Sequence, residues 1–399
     1  MLLSLAIIFL AGLFAAAVFE RIGLPRIIGM LGAGIVVSPY VLGLLDDSIL
    51  GISSELRQIA LIIILIKAGL SLDLSDLKKV GRPAVMMSFV PACCEIVGYV
   101  AFAPLLLGVN RIEAAVMGAV LSAVSPAVVV PRMVRLIEEK YGTDKSIPQM
   151  ILAGASCDDI FVIILFSTFV TMAQGGTVHA ADFLNIPISI VLGVIMGALV
   201  GMAVYFLFES SYKHNRKIRS STKVIIMLGT AFLLMSIETL AKPYVAVSGL
   251  LAVVAMACVI KLKSEKRVTA RLSEKFGKLW IAAEVVLFVL VGAAVDVRYT
   301  LTAGISAVLM IFAALAFRAV GVFICMLGTK LSAKERLFCV IAYLPKATVQ
   351  AAIGSVPLSL GLPCGKIVLS VAVLAILITA PLGSIGIDRS YKHLLSAEK

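Results

Sequence analysis

The sequence predicts an all-α polytopic membrane protein with about thirteen transmembrane helices. Three observations carry that prediction. Of 399 residues, 61% are hydrophobic and the mean hydropathy is +1.09, whereas a soluble chain is nearer half apolar. The apolar residues fall in blocks of about 20, the length that crosses a bilayer as a helix, without the polar–apolar alternation of a transmembrane barrel. The basic residues concentrate in every second loop between those blocks.

Taken in order, the blocks run roughly over 2–19, 26–45, 56–73, 84–108, 112–131, 148–173, 185–208, 223–241, 243–261, 278–295, 301–327, 335–361 and 364–387. The first lacks a basic stretch before it and is followed directly by Arg21 and Arg26. It therefore reads as an uncleaved span rather than a signal peptide. Only Lys242 and Pro243 separate the eighth block from the ninth.

Of the 35 lysines and arginines, 27 lie in loops of one side, including Lys78, Lys79, Lys217, Lys399 and the run Lys261–Lys278. Five lie on the other side: Arg57, Arg111, Lys242, Arg298 and Lys366. Lys67, Arg318 and Lys346 fall within spans. The positive-inside rule makes the rich side cytoplasmic. The N-terminus is then outside and the C-terminus inside a multi-pass cell-membrane protein. This distribution accounts for the net charge of +12 without nucleic acid as a partner. The polar stretches Glu209–Lys223 and Lys261–Lys278 read as topology signals beside anionic headgroups. The seven cysteines lie almost all within spans, and His179, His214 and His393 lie in loops. Neither a disulfide framework nor a histidine metal site is expected, and no cofactor is called for.

Two spans are interrupted at matching depth. The fifth contains Ser125-Pro126-Ala-Val-Val-Val-Pro131, the twelfth Leu344-Pro345-Lys346-Ala-Thr348-Val-Gln350. Proline removes a backbone donor and clashes with the preceding turn, so each helix is expected to unwind there. Such backbone survives at membrane depth only where protein or a water-filled cavity covers it. The two segments lie seven spans apart and so run in opposite directions. A 6+1+6 inverted repeat fits the count: 1–175 as the first repeat, 176–222 as linker helix and loop, 223–399 as the second, all in one transmembrane domain. Paired broken helices at corresponding positions point to a transporter's binding site.

Five ionisable residues fall near mid-span: Glu95, Asp158, Asp159, Arg318 and Lys346. A carboxylate at the bilayer centre costs about 2.5–3.5 kcal/mol on insertion scales, so two side by side signal use. Neighbours on a helix point about 100° apart. One aspartate is expected to face an ion cavity and the other a partner, Lys346. The pair would titrate as a coupled unit and hold either a proton or a small cation, the minimal chemistry of antiport. Ser125, Thr348 and freed carbonyls such as that of Val124 are candidates to complete the oxygen shell. Glu95 and Arg318 read most simply as a mutual salt bridge, with tuning of pH response or ion access as the alternative. Lys67 and Glu284 lie nearer the inner ends and can snorkel.

Ala123-Val-Ser-Pro-Ala-Val-Val-Val-Pro131, Ala155-Ser-Cys-Asp-Asp159 and Leu344-Pro-Lys-Ala-Thr-Val-Gln-Ala-Ala352 together resemble the monovalent cation:proton antiporter superfamily. The closest likeness is to its NHA-type sodium/hydrogen exchangers, and it covers essentially the whole chain. The resemblance implies that the two broken helices cross and that access alternates by an elevator-like movement in a homodimer. It implies Asp159 as the principal ion and proton carboxylate, Asp158 as its helper and Lys346 as stabiliser of the crossing. Many two-aspartate relatives place a lysine where Arg318 stands and are electrogenic; the arginine here favours electroneutral, one-for-one exchange. The extra N-terminal helix of animal NHA-type proteins is expected to be absent.

Exchange of Na⁺ or Li⁺ for H⁺ is thus the leading expectation. Potassium/proton exchange, or ion-coupled organic-anion symport on a similar fold, remains open. An intramembrane aspartyl protease needs two carboxyls facing each other across a substrate, which adjacent helical residues do not provide. A channel would conduct without obligatory proton flux.

Overall fold

The computed structural model describes residues 1–71, 81–175, 182–213, 218–241 and 247–397. Lys78, Lys79, His179, His214, Lys217, Lys242, Pro243 and Lys399 lie outside them. The chain opens with α1 (Leu2–Arg21), α2 (Arg26–Val37), α3 (Asp47–Gly51) and α4 (Ser53–Ser71). One expected span is divided into α5 (Arg82–Met87) and α6 (Val90–Leu107), because the Pro91 ring would collide with the preceding turn. Next come α7 (Arg111–Leu121), α8 (Pro126–Glu138) and α9 (Ile147–Gln174), which carries the two aspartates. α10 (Asp182–Lys213), α11 (Ser220–Ala241), α12 (Gly249–Lys263), α13 (Lys266–Ala293) and α14 (Val297–Cys325) follow. α15 (Ala333–Ala342), α16 (Thr348–Ile353) and α17 (Val356–Ser359) share another divided span, and α18 (Gly365–Leu394) ends the series.

Among the described residues each expected block contains helix, with differences at the ends. The second stops at Val37 because Ser38 precedes Pro39 and turns extended. The tenth begins at Lys266, twelve residues before the expected start, because its basic segment is made of good helix formers. The fifth reaches Glu138, which places Arg132 and Arg135 on helix rather than loop. Among the described residues, seven helices are long and apolar enough to cross a membrane by length and composition.

The chain packs as two compact units. One comprises Gln58–Leu72 and Gly175–Glu284. In it Gly193, Gly197 and Gly201 on α10 face Ser248, Ala252 and Met256, and a Cβ at any of them would strike that backbone. Lipid is as apolar as leucine, so close backbone approach through small residues, not water exclusion, holds such helices together.

The other unit comprises Met1–Arg57, Asp73–Gln174 and Val285–Lys399 and contains both interrupted helices. Its core is built from Val124, Val129, Ile151, Ala155, Val322, Phe338, Tyr343 and Ile387, all buried. At one end Ser332 and Glu335 form a capping box that starts α15, and Lys145 pairs with Glu335 at 2.8 Å. The last residues are strapped over the same end. Arg132 pairs with Asp388 at 3.1 Å, Arg135 donates to the Tyr391 hydroxyl at 3.0 Å, and the Gly142 N–H donates to the Ser396 carbonyl at 2.8 Å. A hydrogen bond from Arg135 holds the Glu139 carboxyl below the usual carboxylate range.

Candidate functional site

Each interruption has a cause in the sequence. α7 ends at Leu121 and Pro126 restarts the helix at its first position, where a missing N–H costs nothing. Ser125 takes the N-cap place in an extended conformation, yet its hydroxyl caps nothing. In the second interruption Tyr343–Ala347 separate α15 from α16, with Pro345 among them. The two meet directly, the Ser125 N–H donating to the Pro345 carbonyl at 2.7 Å, as expected of crossed broken helices. Gly383 on α18 leaves room for the Pro345 ring, and Gly154 on α9 for the Tyr343 hydroxyl; a Cβ at either would overlap its neighbour.

A broken helix leaves carbonyls without intrahelical partners. Here the carbonyls of Leu121, Ser122 and Ala123 are each met by a buried side-chain donor. Lys346 Nζ donates to Leu121 and Arg318 Nη1 to Ser122. Gln350 Nε2 donates to Ala123 at 2.8 Å. Arg318 Nε also takes the Tyr343 carbonyl at 2.6 Å. On the restarting side the polarity reverses: the Val124 N–H donates to Asp158 Oδ2 at 2.7 Å. Cations at exposed carbonyls and a carboxylate at exposed amides follow the helix dipole.

The same donors join into one charge cluster. Arg318 lies 2.9 Å from Glu95 and 3.2 Å from Asp158. Lys346 lies 2.7 Å from Glu95. All four side chains are fully buried. The expected Glu95–Arg318 bridge is therefore present, but the expected partner of the aspartate is not Lys346. Arg318 takes Asp158, and Lys346 is drawn to Glu95. The planar fork of arginine presents five donors and spans two carboxylates and two carbonyls, which the single ammonium of lysine cannot.

Asp159 stands apart. It is only partly buried, and among the described residues it makes no ion pair. Its neighbour Asp158 is the fully buried, partnered member. Asp158 Oδ1, Asp159 Oδ1, Ser125 Oγ and Thr348 Oγ1 are buried oxygens with no hydrogen-bond partner among the described residues. Hard oxygen donors of this kind suit a small, hard cation. Val124 enters through its amide rather than the carbonyl proposed for it. Gln350 was visible as an amide in an apolar run five residues after Pro345, but its part in holding the break was not foreseen.

The family described as sodium/hydrogen exchanger, transmembrane, matches residues 5–390. The chain is 34% identical over 386 residues to sodium/hydrogen exchanger 9B2 of Homo sapiens, covering 91% of this chain and 68% of that one. It is 32% identical over 414 residues to sodium/hydrogen exchanger 9B1 of Homo sapiens, covering 96% and 76%. In fold it is similar to the sodium proton antiporter MjNhaP1 from Methanocaldococcus jannaschii, with a TM-score of 0.81 at 19% identity over 98% of this chain and 97% of that one.

Proposed function

The chain belongs to the transmembrane sodium/hydrogen exchanger family, and we propose that its sodium–proton exchange runs through Asp158 and Asp159. Proton and Na⁺ (or Li⁺) compete for this pair, with Asp159 as the principal carboxyl and Asp158 as its helper. Ser125 and Thr348 supply neutral oxygens, and Val124 orients Asp158.

One observation carries this reading: Glu95 and Asp158 are matched by Arg318 and Lys346, while the adjacent Asp159 makes no ion pair among the described residues. Buried charge is tolerated when it is compensated. With Glu95 and Asp158 matched by the two cations, the cluster lacks one positive charge. Either one proton or one Na⁺ supplies it. The empty site is the costly state, so the protein crosses between its two openings carrying one or the other. That argues for electroneutral, one-for-one exchange.

The wider arrangement belongs to the same proposal. The two interrupted segments support an inverted repeat of 1–175 and 223–399 around a linker at 176–222. Access alternates in an elevator-like manner within a homodimer. The basic loops place the N-terminus outside and the C-terminus in the cytoplasm of a cell membrane.

The test is purified protein in liposomes with a trapped pH dye, challenged with NaCl, LiCl, KCl or an organic anion. Na⁺- or Li⁺-driven proton flux is expected. An imposed voltage acts with about 2.3 kcal/mol per charge per 100 mV, and here it should leave the rate unchanged. Response to KCl alone would make the cargo potassium, and response to the anion alone would make the protein a symporter.

A further inference from the structure

Gln350 is fully buried, and nothing in the exchange described above uses it. Its Nε2 donates to the Ala123 carbonyl at 2.8 Å and lies 3.5 Å from that of Leu121. Its Oε1 is buried with no hydrogen-bond partner among the described residues. Leaving such an atom unpaired costs about 1–3 kcal/mol, so a mere filler at this position would be apolar.

The Ala123–Val124 peptide explains the choice. Its carbonyl accepts from Gln350, and its N–H donates to Asp158 Oδ2. The peptide is planar, so fixing its carbonyl fixes the direction of the N–H that holds Asp158. Bonds in such a chain also polarise one another. Gln350 thereby influences which carboxylate oxygen is engaged and which, Oδ1, is left over.

Charge explains the rest. Three carbonyls end α7, and two are taken by cations, Lys346 and Arg318. A third cation at position 350 would cap Ala123 equally well, but it would also supply the positive charge that the cluster lacks. An amide caps without charge.

We propose that Gln350 is a neutral positioning residue of the exchange. It aligns Asp158 through the Ala123–Val124 peptide and preserves the missing positive charge for the cargo. This inference rests on the proposed reading of the aspartate pair.

The experiment compares Gln350→Met, which keeps the shape and loses both polar ends, with Gln350→Lys, which keeps a donor and adds a charge. Two readouts serve: Na⁺-driven proton flux in liposomes, and the NaCl concentration that half-maximally raises the melting temperature in detergent. For Gln350→Met the apparent KM and the NaCl midpoint are expected to rise about three- to tenfold, the worth of one neutral hydrogen bond, with a smaller fall in maximal rate. For Gln350→Lys, flux and NaCl-dependent stabilisation are expected to be lost in a protein that still melts cooperatively. Gln350→Leu, also without a donor and without charge, serves if either variant does not purify; its NaCl midpoint is expected to rise as for Gln350→Met. Three results overturn the proposal: an unchanged midpoint in Gln350→Met, wild-type NaCl dependence in Gln350→Lys, or an unchanged midpoint in Gln350→Leu. Absence of Na⁺-driven flux in the wild type would instead remove the exchange reading beneath it.

Discussion

The Ser125 amide and the Pro345 carbonyl meet at 2.7 Å, joining the two interrupted helices backbone to backbone. Apart from proline at 125, which has no N–H, no substitution removes either group, so the crossing is vulnerable mainly through whatever seats Pro345. Gly383 does so from α18.

Gly383→Val is therefore expected to push Pro345 away from Ser125. Overpacking of this kind costs about 1–3 kcal/mol. The melting temperature should fall, and NaCl should no longer stabilise the protein. A variant with wild-type melting and flux would show that the contact does not govern the site.

Asp159 and Asp158 should respond differently to neutralisation. Asp159→Asn removes the unpaired carboxyl, so exchange is lost while the melting temperature stays near that of the wild type. Asp158→Asn strips a charged partner from Arg318 and from the Val124 amide, a loss of about 1.5–3 kcal/mol, and so lowers melting as well as flux. Exchange that persists in Asp159→Asn contradicts its assignment as the principal carboxyl.

The pairing of Lys346 with Glu95 makes a double-mutant test specific. Glu95→Gln leaves two buried cations short of a partner, at about 3–5 kcal/mol. Adding Lys346→Met restores the count of charges and should recover part of the melting loss. Combining Glu95→Gln with Arg318→Met should not, because the Tyr343 and Ser122 carbonyls then lose their donor as well. Equal rescue by both second changes would mean that the carbonyl contacts carry little weight.

Competition at one pair fixes the sign of the pH response. A bound proton excludes the cation, so the apparent KM for Na⁺ rises as pH falls through the site's titration, approaching tenfold per pH unit when one proton opposes one ion. Maximal rate at saturating Na⁺ on the uptake side should change far less. Initial rates over a grid of pH and NaCl measure both, and a KM independent of pH would exclude direct competition.

The sequence made the architecture legible because its largest signals are physical extremes. Aspartates in an apolar helix, prolines at mid-span and basic residues in alternate loops each have few alternative explanations. Glu95, Arg318 and Lys346 were picked by depth, and Ser125 and Thr348 by their place in the interrupted spans; the described structure brings the three charges to the crossing. Depth is one coordinate, however, and partner choice needs the angle around each helix as well. That is why Lys346 was assigned to the aspartate when Arg318 holds it. Gln350 was overlooked for a related reason: an uncharged amide gives no electrostatic alarm, and its value appears only once the Ala123 carbonyl needs a donor.

The strap at the end of the chain has a mechanical meaning. Ser396 is bound to Gly142, and Ile147, a few residues on, is the root of α9. From that root to Asp158 runs a continuous rod of roughly 16 Å at the usual rise per residue. The final turn of α18 and the deep acid are thus two ends of one stiff linkage. Loosening Tyr391 or Ser396 would free the loop from which that helix starts.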